Sequence, residues 1–346
     1  MQEQKFWLVA THGGAGYHHK AKDLETNIRD CLTRAMKDAF TSIEAGSTAL
    51  DATEQIITML EDDPCLNAGF GSNLTFDGTV ECDASIMDGR TADYGAVGAV
   101  SGIKNPIRAA TAVLRHSRQP DPLGRIRPIL LVSEGARSFA EEHHLPCVSP
   151  DALISVKAKA EWSMWKERYE AATTDEETVT MSREGLHDRQ DTVGAIAWDA
   201  SGGLAAGVSR KPSGRVGEAA MFGAGCWAQQ VKDSGSERGV ACSISGSGEY
   251  ITRMMLAKTI GEAIIGNPDP DVHQILTGVL EDFHCDRGEA EPSAGVLLVV
   301  QEPNEEGGYI PRLWCAFTTE SMAVAYGTSS SQKLKVPASL QYVASY

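Results

Sequence analysis

The 346 residues carry 47 acidic against 31 basic side chains, a formal charge of −16, with 42% hydrophobic residues and 34 glycines. That charge excludes a general nucleic-acid binder, which presents a basic face, and the apolar share excludes global disorder. The glycines cluster in GGAG, NAGFGS, GAGC and SGSG, a pattern of close backbone approaches rather than of linkers.

In chain order, Phe6 to Thr11 reads as a buried strand running into His12-Gly13-Gly14-Ala15-Gly16. Two helical patterns follow, one through Ile28, Leu32, Met36, Phe40 and Ile43, the other through Ala52, Ile56, Met59 and Leu60. Ser47 is the expected N-cap of the second, and Pro64 lies past its end. NAGFGSNL leads into two strand-like runs, VECDASIM and YGAVGAVSGI, and Pro106 opens a helix at its first position. RPILLVS reads as a buried strand, EGARSFAEEHH as a short helix and Ala152 to Tyr169 as another helix. From Glu170 to Gln190 the pattern collapses into a polar, acid-rich tract, long enough to be a functional or a mobile insertion. TVGAIAWD and LAAGVS then form a hairpin around Ser201-Gly202-Gly203. A strand through VACSIS, helices from GSGEYITRMMLAKTI and DVHQILTGVLEDF, and strands AGVLLVVQ, RLWCAFTT and SMAVAYG complete the chain. Strands in runs with helices grouped between them imply layered α and β structure.

Eight cysteines are scattered without a C-x-x-C pair or zinc-spaced histidines, which fits a reduced compartment. No signal peptide and no membrane-length apolar run is visible, so a cytoplasmic or nuclear protein with no membrane partner is expected. Ser245-Gly246-Ser247-Gly248 stands where a helix N-terminus could hold an anion. Yet there is no G-x-x-x-x-G-K-[ST], and the stretch from Gly14 to His19 fails G-x-G-x-x-G. The pairs His18-His19 and His143-His144 point apart as neighbours do, which argues against a metal. A serine triad lacks its G-x-S-x-G elbow. What remains is a threonine that supplies its own base once its α-amine is free, since that amine titrates near 7.7–8.0. Such an enzyme needs a cleavable segment before the threonine, a strand after it and oxyanion donors elsewhere. Glu170–Gln190, TVGAIAWD after Asp191-Thr192, and the Ser245-Gly246 turn offer all three.

HGGAGYH, NAGFGSNL, ECDASIMDG, DTVGAIAWD, GRVGEAAMFGAGCWA, SGSGEYITR and TTESM together resemble the type-2 asparaginase family of N-terminal-nucleophile hydrolases. ECDASIMDG, SGIKNP, GCWA and TTESM point to its threonine aspartase (taspase) branch. The resemblance implies an α+β fold, a four-layer αββα sandwich formed by residues 1–346 as one unit. It implies autocleavage into an α part, 1–191 with a mobile 170–191 segment, and a β part, 192–346. The mature form would be a homodimer or αβ heterotetramer without metal or cofactor, an endopeptidase cutting after aspartate in protein substrates such as transcription regulators.

Carried over by motif, Thr192 is the nucleophile and Asp191-Thr192 the bond cut in processing. Arg215, Lys20 and Glu218 contact substrate, Glu218 falling where asparaginases hold a substrate amino group with an aspartate. Ser245 and Gly246 form the oxyanion pair, while Asn67, Gly69, Gly14 and Ser209 support the nucleophile. One stretch departs from the family. Where the pattern reads S-[ST]-G-G, this chain reads Ser209-Arg210-Lys211-Pro212, placing Arg210 eighteen positions after Thr192, where a hydroxyl residue is expected. Two alternatives therefore stand beside the endopeptidase. One is a small-substrate asparaginase or isoaspartyl peptidase; the other is an impaired homologue acting as a binding or dimerisation partner.

Overall fold

The computed structural model describes residues 6–16, 22–174, 192–211, 214–233, 236–285, 292–303 and 309–335. These form eight α-helices and two β-sheets. The first strand, β1 (Leu8–Gly16), is followed by α1 (Lys22–Glu44), α2 (Ala49–Glu61), β2 (Cys82–Asp88), β3 (Asp93–Val100) and α3 (Pro106–Ser117). Then come β4 (Leu130–Val132), α4 (Ser133–Glu142) and α5 (Val156–Thr174), before the hairpin β5 (Val193–Trp198) and β6 (Leu204–Arg210). The remainder is β7 (Cys226–Asp233), β8 (Ser236–Gly246), α6 (Gly248–Met254), α7 (Leu256–Ile265), α8 (Val272–Cys285), β9 (Ala294–Pro303), β10 (Tyr309–Phe317), β11 (Ser321–Thr328) and β12 (Ser331–Lys335).

Eight strands lie in the order β12-β11-β1-β5-β6-β2-β3-β4, antiparallel throughout except for the β3–β4 edge. The second sheet runs β10-β9-β8-β7, all antiparallel. Period-2 alternation explains how they stack. Along β5, Val193, Ala195 and Ala197 pack with Ile56 and Ile57 of α2, whereas Ile196 and Trp198 turn toward the second sheet, on whose inner face Ala241 lies in line with Ser243 and Ser245. Along β6, Ala205 joins the helix side, and Leu204, Ala206 and Val208 the inter-sheet side. On the outer face of the second sheet, Ile260 and Ile264 of α7 extend the same apolar cluster. Helices outside each of two facing sheets make a four-layer αββα sandwich.

Local chemistry sets the ends of the elements. The N-cap of α2 is Thr48 rather than Ser47: Thr48 Oγ1 accepts from Asp51 N, and the Asp51 carboxylate returns to Thr48 N. Ser47 instead pairs its hydroxyl with Ser42 at 2.7 Å. Pro106 stands at the start of α3, as its missing N–H allows. RPILLVS yields only the three-residue β4 on a sheet edge, with Val132 exposed. The pattern break at Glu170 does not end α5, which continues to Thr174, and residues 175–191 lie outside the described ones. Met255 at φ +44 divides the expected single helix into α6 and α7, and β12 was not anticipated.

Candidate active site

Thr192 is fully buried immediately before β5, the strand held between β1 and β6. Its Oγ1 has no hydrogen-bond partner among the described residues. The backbone there is held by β1: His12 Nδ1 lies 3.1 Å from the Thr192 carbonyl, and Thr11 Oγ1 donates to the Gly194 carbonyl at 2.7 Å. His12 is buried, and loss of hydration lowers its pKa to about 4 against the backbone bond that favours the charged form. A neutral imidazole has one N–H, and the carbonyl can only accept, so Nδ1 carries the proton. Nε2 then faces Ser243 Oγ at 2.8 Å, a contact that crosses from β1 to β8, and the one hydroxyl proton is shared between Nε2 and the Gly207 carbonyl at 3.0 Å. Gly194 is dictated by this junction, since a Cβ would sit 2.5 Å from His12 Nε2 and closer still to Ser243 Oγ.

Ser243 and Ser245 are two residues apart on β8 and both buried, and Ser245 Oγ accepts from Ala15 N at 3.0 Å. Ala15 follows the irregularity in β1 between His12 and Ala15, where Gly14 takes φ +112. Gly246 ends β8 at φ +145, and a Cβ there would lie 2.8 Å from Ala294 Cα, so only glycine fits. The two expected oxyanion residues thus sit on the strand that His12 ties to Thr192.

Arg210 takes the place where the family pattern leads one to expect a hydroxyl residue. Val193 pairs with Ser209, so Arg210, the next residue on β6, stands beside Thr192 and by alternation shares the inter-sheet side with Val208. Its Nη1 donates to Glu218 Oε1 in a very short contact and to the Gly246 carbonyl at 2.9 Å. Glu218 is 1% exposed. Desolvation acts to lower the Arg210 pKa, but the Glu218 charge outweighs it and the guanidinium is held above its ordinary value. Asp83, opposite Arg210 across β2–β6, accepts from Ala99 N and Gly217 N and so anchors the segment that presents Glu218. Burial raises the Asp83 carboxyl to about 7.

The other expected residues disperse. Ser209 Oγ points to the helix side, donating to Glu61 Oε1 at 2.7 Å, away from Thr192. Asn67 accepts from Asn73 N at 2.9 Å, shaping a loop that lies against α2. Gly69 in that loop takes φ +54, with its Cβ position 2.7 Å from Glu61 Cβ. Arg215 is half-exposed and pairs with Glu249 at 2.6 Å. Lys20 and Asp191 lie outside the described residues. Sequence reasoning gave no role to His12, Ser243 or Glu61. A histidine inside an apolar strand and serines at i, i+2 in VACSIS were signals for the first two.

Comparisons with known proteins place the sequence in a family. A sequence profile of the asparaginase family matches residues 5–333. The isoaspartyl peptidase of Escherichia coli (strain K12) is 33% identical over 261 residues, 73% of this chain and 75% of that protein. The isoaspartyl peptidase/L-asparaginase of Mus musculus is 34% identical over 72% of this chain and 70% of its own length. The plant-type L-asparaginase of Pyrococcus abyssi is 34% identical over 72% of this chain and 77% of its own.

Proposed function

The chain belongs to the asparaginase family of N-terminal-nucleophile hydrolases, and on that premise we propose a self-processing threonine hydrolase of aspartyl- or asparaginyl-derived amides. The observation that carries this reading is Thr192: fully buried at the head of a central strand, its carbonyl fixed by His12, its hydroxyl without a partner among the described residues. In processing, Thr192 Oγ attacks the carbonyl of Asp191, the peptide N–C bond breaks as an ester forms, and water hydrolyses the ester. The products are a carboxylate at residue 191 and a free Thr192 amine. In turnover that amine takes the hydroxyl proton while Oγ attacks the substrate carbonyl, and passes it to the leaving amine. Water then releases the acyl group. Ser245 and the Gly246 N–H are assigned to the developing oxyanion.

The names of the relatives support an aspartyl or asparaginyl acyl group, since they describe isoaspartyl peptidases and L-asparaginases. A second reading, an endopeptidase acting after aspartate in proteins, is favoured by the residue before Thr192 being aspartate. One acid-binding pocket would then serve processing and turnover alike. For either reading we propose a homodimer in which each subunit is an αβ pair. The test is intact mass beside Thr192→Ala. Two fragments meeting at Asp191/Thr192, absent from the variant, are expected. A chain that stays whole would favour a binding partner without activity.

A further inference from the structure

We propose that Arg210 sets the substrate class of this site by filling, with a cation of the protein's own, the position a substrate ammonium group would take. The substrate would then be an aspartyl or asparaginyl residue whose α-nitrogen is already acylated, as inside a peptide, and not a free amino acid or an amino-terminal residue. This rests on the threonine-hydrolase reading above.

Two acceptors converge on the side chain of Arg210, the residue paired beside Thr192 on β6: the carboxylate of Glu218 and the carbonyl of Gly246, the latter on the expected oxyanion turn. A buried carboxylate with an adjacent carbonyl is a cation-recognising pair, and a primary ammonium would satisfy both. Here one nitrogen, Arg210 Nη1, takes both. The carboxylate's other oxygen faces Gly248, where a Cβ would collide with it and lie 3.1 Å from Arg210 Nη1, so the pair is enclosed on that side too. Arg210 and Glu218 are buried together with their charges cancelled. A substrate ammonium entering there would meet the guanidinium as a like charge and would have to displace it from its only charged partner among the hydrogen bonds described. An acylated nitrogen carries no charge and needs no carboxylate.

The assignment separates Arg210 from a merely structural ion pair, because it predicts a preference that changes sign. Processed wild type, Arg210→Ser and Arg210→Gln would be assayed on matched pairs: L-asparagine with N-acetyl-L-asparagine, and an Asp-X dipeptide with its N-acetyl form. Arg210→Gln keeps hydrogen-bonding capacity without charge, so it serves if the serine variant fails to fold. Wild type is expected to favour the acylated member at least tenfold in kcat/KM, and the variants to lose or reverse that ratio. Preference for the free ammonium in wild type, or an unchanged ratio in a folded variant, overturns the proposal. Binding of L-aspartate and N-acetyl-L-aspartate, as reaction products, to the processed wild type, followed by calorimetry, gives an answer that needs no turnover. Tighter binding of the acetylated acid supports the proposal; equal binding, the reverse, or binding of neither overturns it. Failure of processing in wild type would sink the hydrolase reading, while processing with the wrong preference sinks only this inference.

Discussion

His12 has one proton to place, and the Thr192 carbonyl, which can only accept, claims it at Nδ1. The bond fixes the peptide plane that carries the proposed nucleophile, and Ser243 meets the far side of the ring. His12→Ala removes a buried donor and leaves that carbonyl unsatisfied, at a cost of ~1–3 kcal/mol. If the loss falls on the geometry of attack, processing slows ~5- to 160-fold, read from the time course of fragment appearance on a denaturing gel. Unchanged kinetics would mean that the strand pairing alone holds Thr192. Gly194→Ala tests the same junction by crowding it, since the methyl group would sit 2.5 Å from His12 Nε2. Overpacking of this kind costs ~1–3 kcal/mol, so Tm should fall and processing slow together. A variant as stable and as quickly processed as wild type would refute the close contact.

At the level of elements, the informative pair is α2 with β6. Glu61, at the end of α2, accepts from Ser209 Oγ at 2.7 Å and from Ile107 N at 3.0 Å, joining two helices to the strand that flanks β5. Ser209→Ala should therefore act on folding rather than on chemistry: ~1–3 kcal/mol less stable by denaturant unfolding, from a buried carboxyl oxygen losing a donor. The kcat of the processed enzyme should barely move; a large loss of kcat at constant stability would return Ser209 to the reaction. The β5–β6 hairpin was legible because turn residues and alternation coincide at Ser201-Gly202-Gly203. Thr192 was legible because the motif, the change of composition and the strand start fall together. The partners of β6 were not. Ser209 and Arg210 differ by one position and face opposite layers, one meeting Glu61, the other Glu218 and Gly246. Only the stacking of helices and sheets decides which distant acid each meets. RPILLVS misleads for a related reason: its apolar run is an edge, not a core, once α3 and the rest of the sheet are in place.

For the molecule as a whole, the four layers bury ionisable groups whose titration shapes stability. Burial raises Glu61 to about 8 and Asp83 to about 7, and lowers His12 to about 4 and Lys211 to about 8. Between pH 4 and 6.5 the unfolded chain binds the His12 proton more than the folded one does, so His12 makes stability rise with pH. The carboxyls act oppositely: in the folded protein they keep protons that the unfolded chain has released, so their contribution falls as pH rises toward 7 and 8. The two effects oppose one another up to pH 6.5, and above it only the acids remain. Lys211 works the other way from pH 8 to 10.5, its unfolded form holding the extra proton. Wild type should therefore lose stability from pH 6.5 to 8. Glu61 alone is worth about 2–4 kcal/mol over pH 5 to 8, given the size of its displacement. Glu61→Gln keeps an acceptor for the Ser209 hydroxyl and the Ile107 N–H but has nothing to ionise. Its unfolding free energy should follow a flatter curve between pH 5 and 8 and cross that of wild type toward the alkaline end. Parallel curves would show that Glu61 is ionised in the folded protein and that its charge is met by groups beyond Ser209 and Ile107.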